Sequence, residues 1–159
     1  MPSATLGRWL ALAVLVLVLD QISKTWVLAN FRVMDRQAVT SFFNLVLVFN
    51  PGASFSFLAD AGGWQKWFFV ILAGGISLWL LSLLRLYAQE RLLPAALSMI
   101  LGGAIGNLID RLRFDGVVDF LDFHFAGYHW PAFNVADSAI TVGVALMLWH
   151  QLRCGRETK

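Results

Sequence analysis

The chain has few charged residues and almost no cysteine. Only 14% of its 159 residues are charged and 58% are hydrophobic, whereas a soluble domain carries about 25% charged residues. Cys154 is the single cysteine, so no internal disulfide can form. It lies in a basic tail without the His and Asn or Asp partners that a catalytic cysteine requires. The net charge of +2 comes from scattered basic residues, which argues against a nucleic-acid partner. These shortages exclude a soluble globular domain and indicate an integral membrane protein.

Long apolar runs predict the membrane spans. Residues 67–84 and 92–109 each form an 18-residue stretch without a charge, close to the roughly 20 that cross a bilayer as a helix. The first apolar segment resembles a cleavable signal peptide, but Asp20 and Lys24 interrupt it and its length suits a full span. We therefore predict one polytopic, all-α membrane domain over residues 1–159. Its four spans lie at about 6–31, 67–86, 92–111 and 133–152.

An even number of spans places both termini on one face of the membrane. The two long connections, at about 32–66 and 112–134, then lie together on the opposite face. All eight aspartates fall on or next to that face, and both glutamates fall on the other. Basic residues are six to five in favour of the side with the termini, which weakly predicts cytoplasmic termini and periplasmic long loops.

The first long loop contains a candidate strand. Residues 42–50 are rich in β-branched and aromatic side chains, and Pro51-Gly52 ends the run. Residues 53–58 suit a short helix on the membrane surface. We expect a small extramembrane platform beside the spans.

Several polar residues recur near the predicted ends of the spans. Asp20 and Lys24 are four residues apart and share a helix face, so they can form an ion pair that is either structural or orients a substrate. Asn50 and Gly52 belong to a turn, or Asn50 presents its amide to a substrate. The strip of small residues at 102–106 favours close helix packing.

Asn107 and Arg111 follow that strip on one helix face. They are consistent either with anchoring at the membrane interface or with a binding site, because Asn107 lies deeper than a solvated cap should. The residues alone leave both interpretations open.

Asp119 and Asp137 bracket one short loop between two apolar segments. An Asp at the centre of a spanning helix costs roughly 2.5 to 3.5 kcal/mol, so acids beside a membrane suggest function. Two carboxylates held close share one proton. The ionised member can then accept a proton from water while the protonated one donates to a carbonyl, which suits amide hydrolysis without metal or cofactor.

Three alternatives use the same acids. They are two unrelated loop acids, a small transporter or ion or proton carrier, and a divalent metal site. A transporter predicts acids spread through the membrane depth. The metal site would draw its ligands from Asp119, Asp122, His124, His129 and Asp137.

Taken together, the motifs resemble the bacterial lipoprotein signal peptidases, or type II signal peptidases, over nearly the whole chain. The motifs that carry the resemblance are Asp20-Gln21-x-x-Lys24, Asn50-x-Gly52, Gly102-Gly103-Ala104-x-Gly106-Asn107-x-x-Asp110-Arg111, Val117-Val118-Asp119-Phe120 and Phe133-Asn134-x-Ala136-Asp137. Each motif is weak alone, and five in this order are specific.

The resemblance implies an aspartyl endopeptidase of the bacterial inner membrane, which we expect to be monomeric although the sequence alone does not give the oligomeric state. Such an enzyme has four spans, cytoplasmic termini, a site near the periplasmic face, and a β-cradle with a surface helix that closes over the substrate in the phospholipid bilayer. It cleaves prolipoproteins before a diacylglyceryl-modified cysteine and uses no cofactor. Asp119 and Asp137 would be catalytic, with Asp20 and Lys24 in support. The residues that would bind the substrate are Asn50, Gly52, Asn107, Arg111, Asn134 and Ala136.

Overall fold

Four long helices dominate the computed structural model, which describes residues 2–52 and 62–157. Their bounds are α1 Pro2–Asn30, α2 Trp64–Leu86, α3 Leu92–Arg113 and α4 Val135–Glu157. Each helix contains a stretch long and apolar enough to cross a membrane. The predicted fold class, an all-α membrane protein with four spanning helices and a small sheet, is confirmed.

Helix α3 lies at the centre of the bundle. It contacts the other three helices, and 61% of its apolar window is buried, against 28% or less for the others. Close packing depends on small residues, because a Cβ at Gly103 would lie 2.5 Å from the Ala136 carbonyl oxygen of α4, and one at Gly102 would overlap the backbone of α1. The predicted role of the small-residue strip in packing is therefore confirmed.

Exposed tryptophans mark two levels along the bundle. Trp26, Trp64 and Trp130 lie near the end where the long connections are, and Trp79 and Trp149 lie towards the other. Trp64 and Trp79 are 15 residues apart on α2, which corresponds to roughly 22 Å of helix. This distance is shorter than the roughly 30 Å of hydrocarbon in a bilayer, so these two indoles do not by themselves mark both interfaces.

A four-stranded antiparallel sheet stands beside the end of the bundle. Its strands are β1 Arg36–Ala38, β2 Phe43–Asn50, β3 Val117–Phe125 and β4 Tyr128–His129, in the order β1-β2-β3-β4. Strand β2 confirms the strand predicted at 42–50. The surface helix predicted at 53–58 lies outside the described residues.

The two faces of β3 have different neighbours because successive side chains of a strand point to opposite faces. Val118 and Phe120 pack with Val27 of α1 and Leu47 of β2, and all four are buried. Asp119 therefore points to the opposite face of the sheet.

Helix α4 begins at Val135 because the residues before it are engaged elsewhere. Phe133 forms an isolated β-bridge with Leu121, and the side chain of Asn134 accepts the backbone N–H of Asp137, as an N-cap does. This cap places Asp137 in the first turn of α4. The sheet and the helix start thus bring the two predicted acids to one place.

Candidate active site

Asp119 and Asp137 are joined through the side chain of Asn134. Its Nδ2 donates to Asp119 Oδ1 at 2.7 Å, and its Oδ1 accepts the Asp137 backbone N–H at 2.9 Å. The residue that caps α4 therefore also fixes the carboxyl group on β3. Asn134 is fully buried, so this geometry is held without competition from water.

Asn107 of α3 binds Asp137 from the other side. Its Nδ2 donates to Asp137 Oδ1 at 2.7 Å. Its Oδ1 accepts from Lys24 Nζ at 2.9 Å and from Asn134 Nδ2 at 3.3 Å. Two asparagine amides thus connect the acids in a continuous hydrogen-bond chain.

The environment of Asp119 favours its neutral form. Burial, and after it the negative charge of Asp137, raise the pKa of Asp119 to about 7. Hydrogen bonds from Asn50 and Asn134 and the charge of Lys24 act in the opposite direction. A carboxyl with this pKa can still donate a proton near neutral pH.

Lys24 lies at the centre of a buried ionic network. Its Nζ is 2.8 Å from Asp20 Oδ2 and 2.8 Å from Asp110 Oδ2, and its side chain is 2% exposed. The predicted ion pair between Asp20 and Lys24 is confirmed. Asp20 Oδ1 also accepts the backbone N–H of Ala136 at 2.9 Å, which ties α1 to the start of α4.

Arg111 holds the turn that follows β2. Its Nη2 donates to the Gly52 carbonyl at 2.7 Å, and the Gly52 N–H donates to Asn50 Oδ1 at 3.0 Å. Asn50 pairs with Val117 across the sheet, so its side chain is a diagonal neighbour of Asp119 and hydrogen-bonds to it. Arg111 Nε is buried and has no partner among the residues that the structure describes.

One network of hydrogen bonds and ion pairs includes every residue predicted for the site. Ala136 takes part through its backbone, and its Cβ packs against the position of Gly106. Its members are Asp20, Lys24, Asn50, Gly52, Asn107, Arg111, Asp119, Asn134, Ala136 and Asp137.

Two further residues of this network had no role in the prediction. Asp110 accepts from Lys24 and from the Val118 N–H, the latter at 3.1 Å, and so fixes the start of β3. Gln21 donates to Asp110 Oδ1 at 3.1 Å. The sequence did contain a signal for both residues, because each lies inside one of the motifs and Asp110 follows Asn107 by one helical turn.

The residues of the hypothetical metal site are divided between the two faces of the sheet. Asp122 accepts from Asn44 and from His129, each at 2.8 Å, and lies on the face opposite to Asp119. Burial would raise the pKa of Asp122, but these hydrogen bonds and the charges of His129 and Arg36 lower it below its usual value. The five side chains therefore do not form one ligand set.

Four membrane-spanning helices around buried, hydrogen-bonded acids are the architecture of a membrane protease. The family model described as signal peptidase (SPase) II matches residues 12–153. The chain thus belongs to the signal peptidase II family and is a multi-pass bacterial membrane protein.

Individual relatives and solved structures agree with this assignment. A lipoprotein signal peptidase of Azoarcus sp. (strain BH72) is 60% identical over 148 residues, which cover 93% of this chain and 84% of the relative. The lipoprotein signal peptidase of Burkholderia vietnamiensis is 51% identical, with 99% and 95% covered. A solved bacterial membrane enzyme is similar with a TM-score of 0.82 at 30% identity, covering 96% of this chain and 92% of the other.

Proposed function

We propose that this chain removes signal peptides from lipoproteins by aspartyl catalysis at Asp119 and Asp137. The relatives named above carry the substrate class in their names. The observation that supports the chemistry is the hydrogen-bond chain from Asp119 through Asn134 and Asn107 to Asp137. A transporter is not favoured, because Asp20, Asp110, Asp119 and Asp137 gather at one end of the bundle instead of spreading through its depth.

The two acids divide one hydrolysis between them. The ionised carboxylate removes a proton from water, whose oxygen attacks the peptide carbonyl carbon, while the protonated acid donates its proton to the carbonyl oxygen. The tetrahedral intermediate then collapses: the carboxyl that took the water proton gives it to the leaving nitrogen, the C–N bond breaks, and a hydroxyl proton of the intermediate returns to the other carboxylate. No step requires a metal or cofactor.

The substrate is a prolipoprotein whose cysteine already carries diacylglycerol, cut immediately before that cysteine. Its signal helix and acyl chains stay in the bilayer, so the scissile bond must be held at the edge of the membrane. The acids lie at this level, near the exposed tryptophans of that end. We propose that the turn at Asn50 and Gly52, which Arg111 holds, binds the substrate backbone.

We propose that both termini lie in the cytoplasm and that the site lies near the periplasmic face of the inner membrane, in line with the six to five excess of basic residues on the side of the termini. We also propose a monomeric enzyme whose partners are its substrate and phospholipid.

The test is cleavage by the purified protein in lipid vesicles. We expect a diacylglyceryl-modified prolipoprotein to be cut to a product that begins with the lipidated cysteine, as read by mass spectrometry. The matched substrate with an unmodified cysteine should be cut at least about tenfold more slowly, because it lacks the binding energy of its acyl chains. Absence of cleavage, or equal cleavage of both substrates, would contradict the proposal.

A further inference from the structure

We infer that Lys24 is a positioning residue that acts through Asn107 and makes the two aspartates unequal. Asp137 is then the ionised base, and Asp119 carries the shared proton. The inference rests on the proposed function and deepens it, because it assigns a direction to proton transfer. It depends on which way one buried amide points.

The direction of the Asn107 amide is fixed by its neighbours. An ammonium group has donors only, so the Asn107 atom that Lys24 contacts at 2.9 Å must be the oxygen. The second neighbour of that oxygen is Asn134 Nδ2, which is also a donor. The Asn107 Nδ2 therefore faces Asp137 and donates to it at 2.7 Å. Turning the amide over would bring its NH2 group against two donors.

The start of α4 adds a second reason for charge on Asp137. Asp137 lies in the first turn of that helix, where the helix dipole stabilises a negative charge, and the N–H groups of Ala136 and Asp137 are already bound to Asp20 and Asn134. Asp119 lies in a strand and is 3% exposed, so neither a helix start nor water stabilises its charge, and only Asn134 Nδ2 at 2.7 Å, Asn50 and the charge of Lys24 favour ionisation there. The two sites thus differ in their local electrostatics.

The net charge of the surroundings does not itself make this distinction. The charged groups around the two acids are Asp20 and Lys24 from α1, and Asp110 and Arg111 from α3. Lys24 is contacted by both Asp20 and Asp110 at 2.8 Å, which offsets its charge at longer range. The charge of Lys24 acts on both acids, and the part of its effect that is directed at Asp137 alone passes through the oriented amide.

The consequence for the reaction is a fixed direction. Asp137 accepts the proton of the attacking water, and Asp119 donates its proton to the carbonyl oxygen. The acid side of the pH profile then reports Asp137, and the alkaline side reports Asp119.

The experiment compares two double variants, in each of which a lysine and its aspartate partner are replaced by neutral residues. In the double variant Lys24→Met with Asp110→Asn, we expect the acid limb of the kcat profile to move up by about one pH unit. We also expect kcat to fall about tenfold with KM within about twofold, because the change affects the chemical step and not binding. The matched control is Lys66→Met with Asp115→Asn, which removes a surface pair at 3.0 Å and should leave both limbs unchanged.

Asn107→Leu provides a second test if the double variant does not fold. It keeps roughly the size of the side chain and removes the N–H that faces Asp137 without adding a charge, while Lys24 keeps Asp20 and Asp110 as partners, so the same upward movement of the acid limb is expected. Circular dichroism and thermal unfolding establish which variants are folded. Two results would overturn the inference: a lower kcat with both limbs in place, or movement of the alkaline limb alone. If the wild-type protein itself failed to cleave, the proposed function would fall instead.

Discussion

Asp119 is held where its charge is unfavourable. Burial is the largest cause and the charge of Asp137 the next, and together they raise its pKa from 3.8 to about 7. A difference of this size corresponds to a cost on the order of 4 kcal/mol for ionising the folded protein. Strain of this kind at a functional site lowers the stability of the folded protein. Replacing the carboxyl by a neutral group is therefore expected to raise that stability.

Asp119→Asn should therefore stabilise the protein while it abolishes activity. Below pH 3.8 the carboxyl is neutral in both the folded and the unfolded state. Between about pH 4 and 7 only the unfolded state loses the proton, so the stability of the wild type falls as pH rises through this window. The variant should gain several degrees in Tm at about pH 8 and only about a quarter as much at about pH 4.5. Asp115→Asn, at a fully exposed position, is the control, and an equal gain there would contradict the explanation.

The sequence was sufficient to predict which polar residues form the site but not how they connect. Spacing placed Asp20 and Lys24 on one helix face, and the motifs singled out Asn107 and Asn134. The direction of each amide depends on long-range donors, as with Lys24 acting on Asn107 across 83 positions of the chain. No local pattern contains that information.

Helices α1 and α3 pack closely against each other at a glycine of α3. A Cβ at Gly106 would lie 2.5 Å from Asp20 Oδ2, the atom that contacts Lys24. The small residue is therefore needed both for packing of α1 on α3 and for the position of a charged group. A Cβ at Gly75 on α2, by contrast, would meet no other heavy atom within 4 Å.

Gly106→Ala should destabilise the protein by about 1 to 3 kcal/mol, because it overpacks the helix interface. Gly75→Ala should be neutral or slightly stabilising, since alanine favours a helix. Thermal unfolding in the same detergent measures both. If the two variants unfold at the same temperature, the contact between Gly106 and Asp20 does not constrain the bundle.

The elements themselves were predictable to different degrees. Charge-free runs identified α2 and α3, apolar length identified α1 and α4 in spite of Asp20, Lys24 and Asp137, and the aromatic run at 42–50 identified β2. Strand β3 was not apparent from pattern alone, because both of its faces mix apolar residues with an acid and the sequence lacks a clean alternation of apolar and polar residues. Its partner β2 is more than 60 residues away, and pairing at that distance is set by tertiary structure.

The molecule as a whole is asymmetric across the membrane. The sheet and the acidic network occupy the end formed by the last turns of α1 and α3 and the first turns of α2 and α4. The opposite end is closed by the short connection between Leu86 and Leu92. The proposed orientation places the first end in the periplasm and the second in the cytoplasm.

Labelling of single cysteines tests this orientation. In a Cys154→Ser background, an impermeant maleimide should label Thr40→Cys in intact spheroplasts, because that position is exposed beside the sheet. Gln89→Cys, exposed in the turn between α2 and α3, should be labelled only after permeabilisation. The reverse pattern would place the site in the cytoplasm.

Cleavage of lipidated prolipoprotein by purified Asp119→Asn and Asp137→Asn variants tests the shared acid chemistry most directly. Both variants should be folded and inserted, and kcat should fall by at least about 10³-fold in each, since either change removes a member of the pair. Asp115→Asn should retain wild-type kcat. Substantial cleavage by either Asp119→Asn or Asp137→Asn would show that the pair does not perform the hydrolysis.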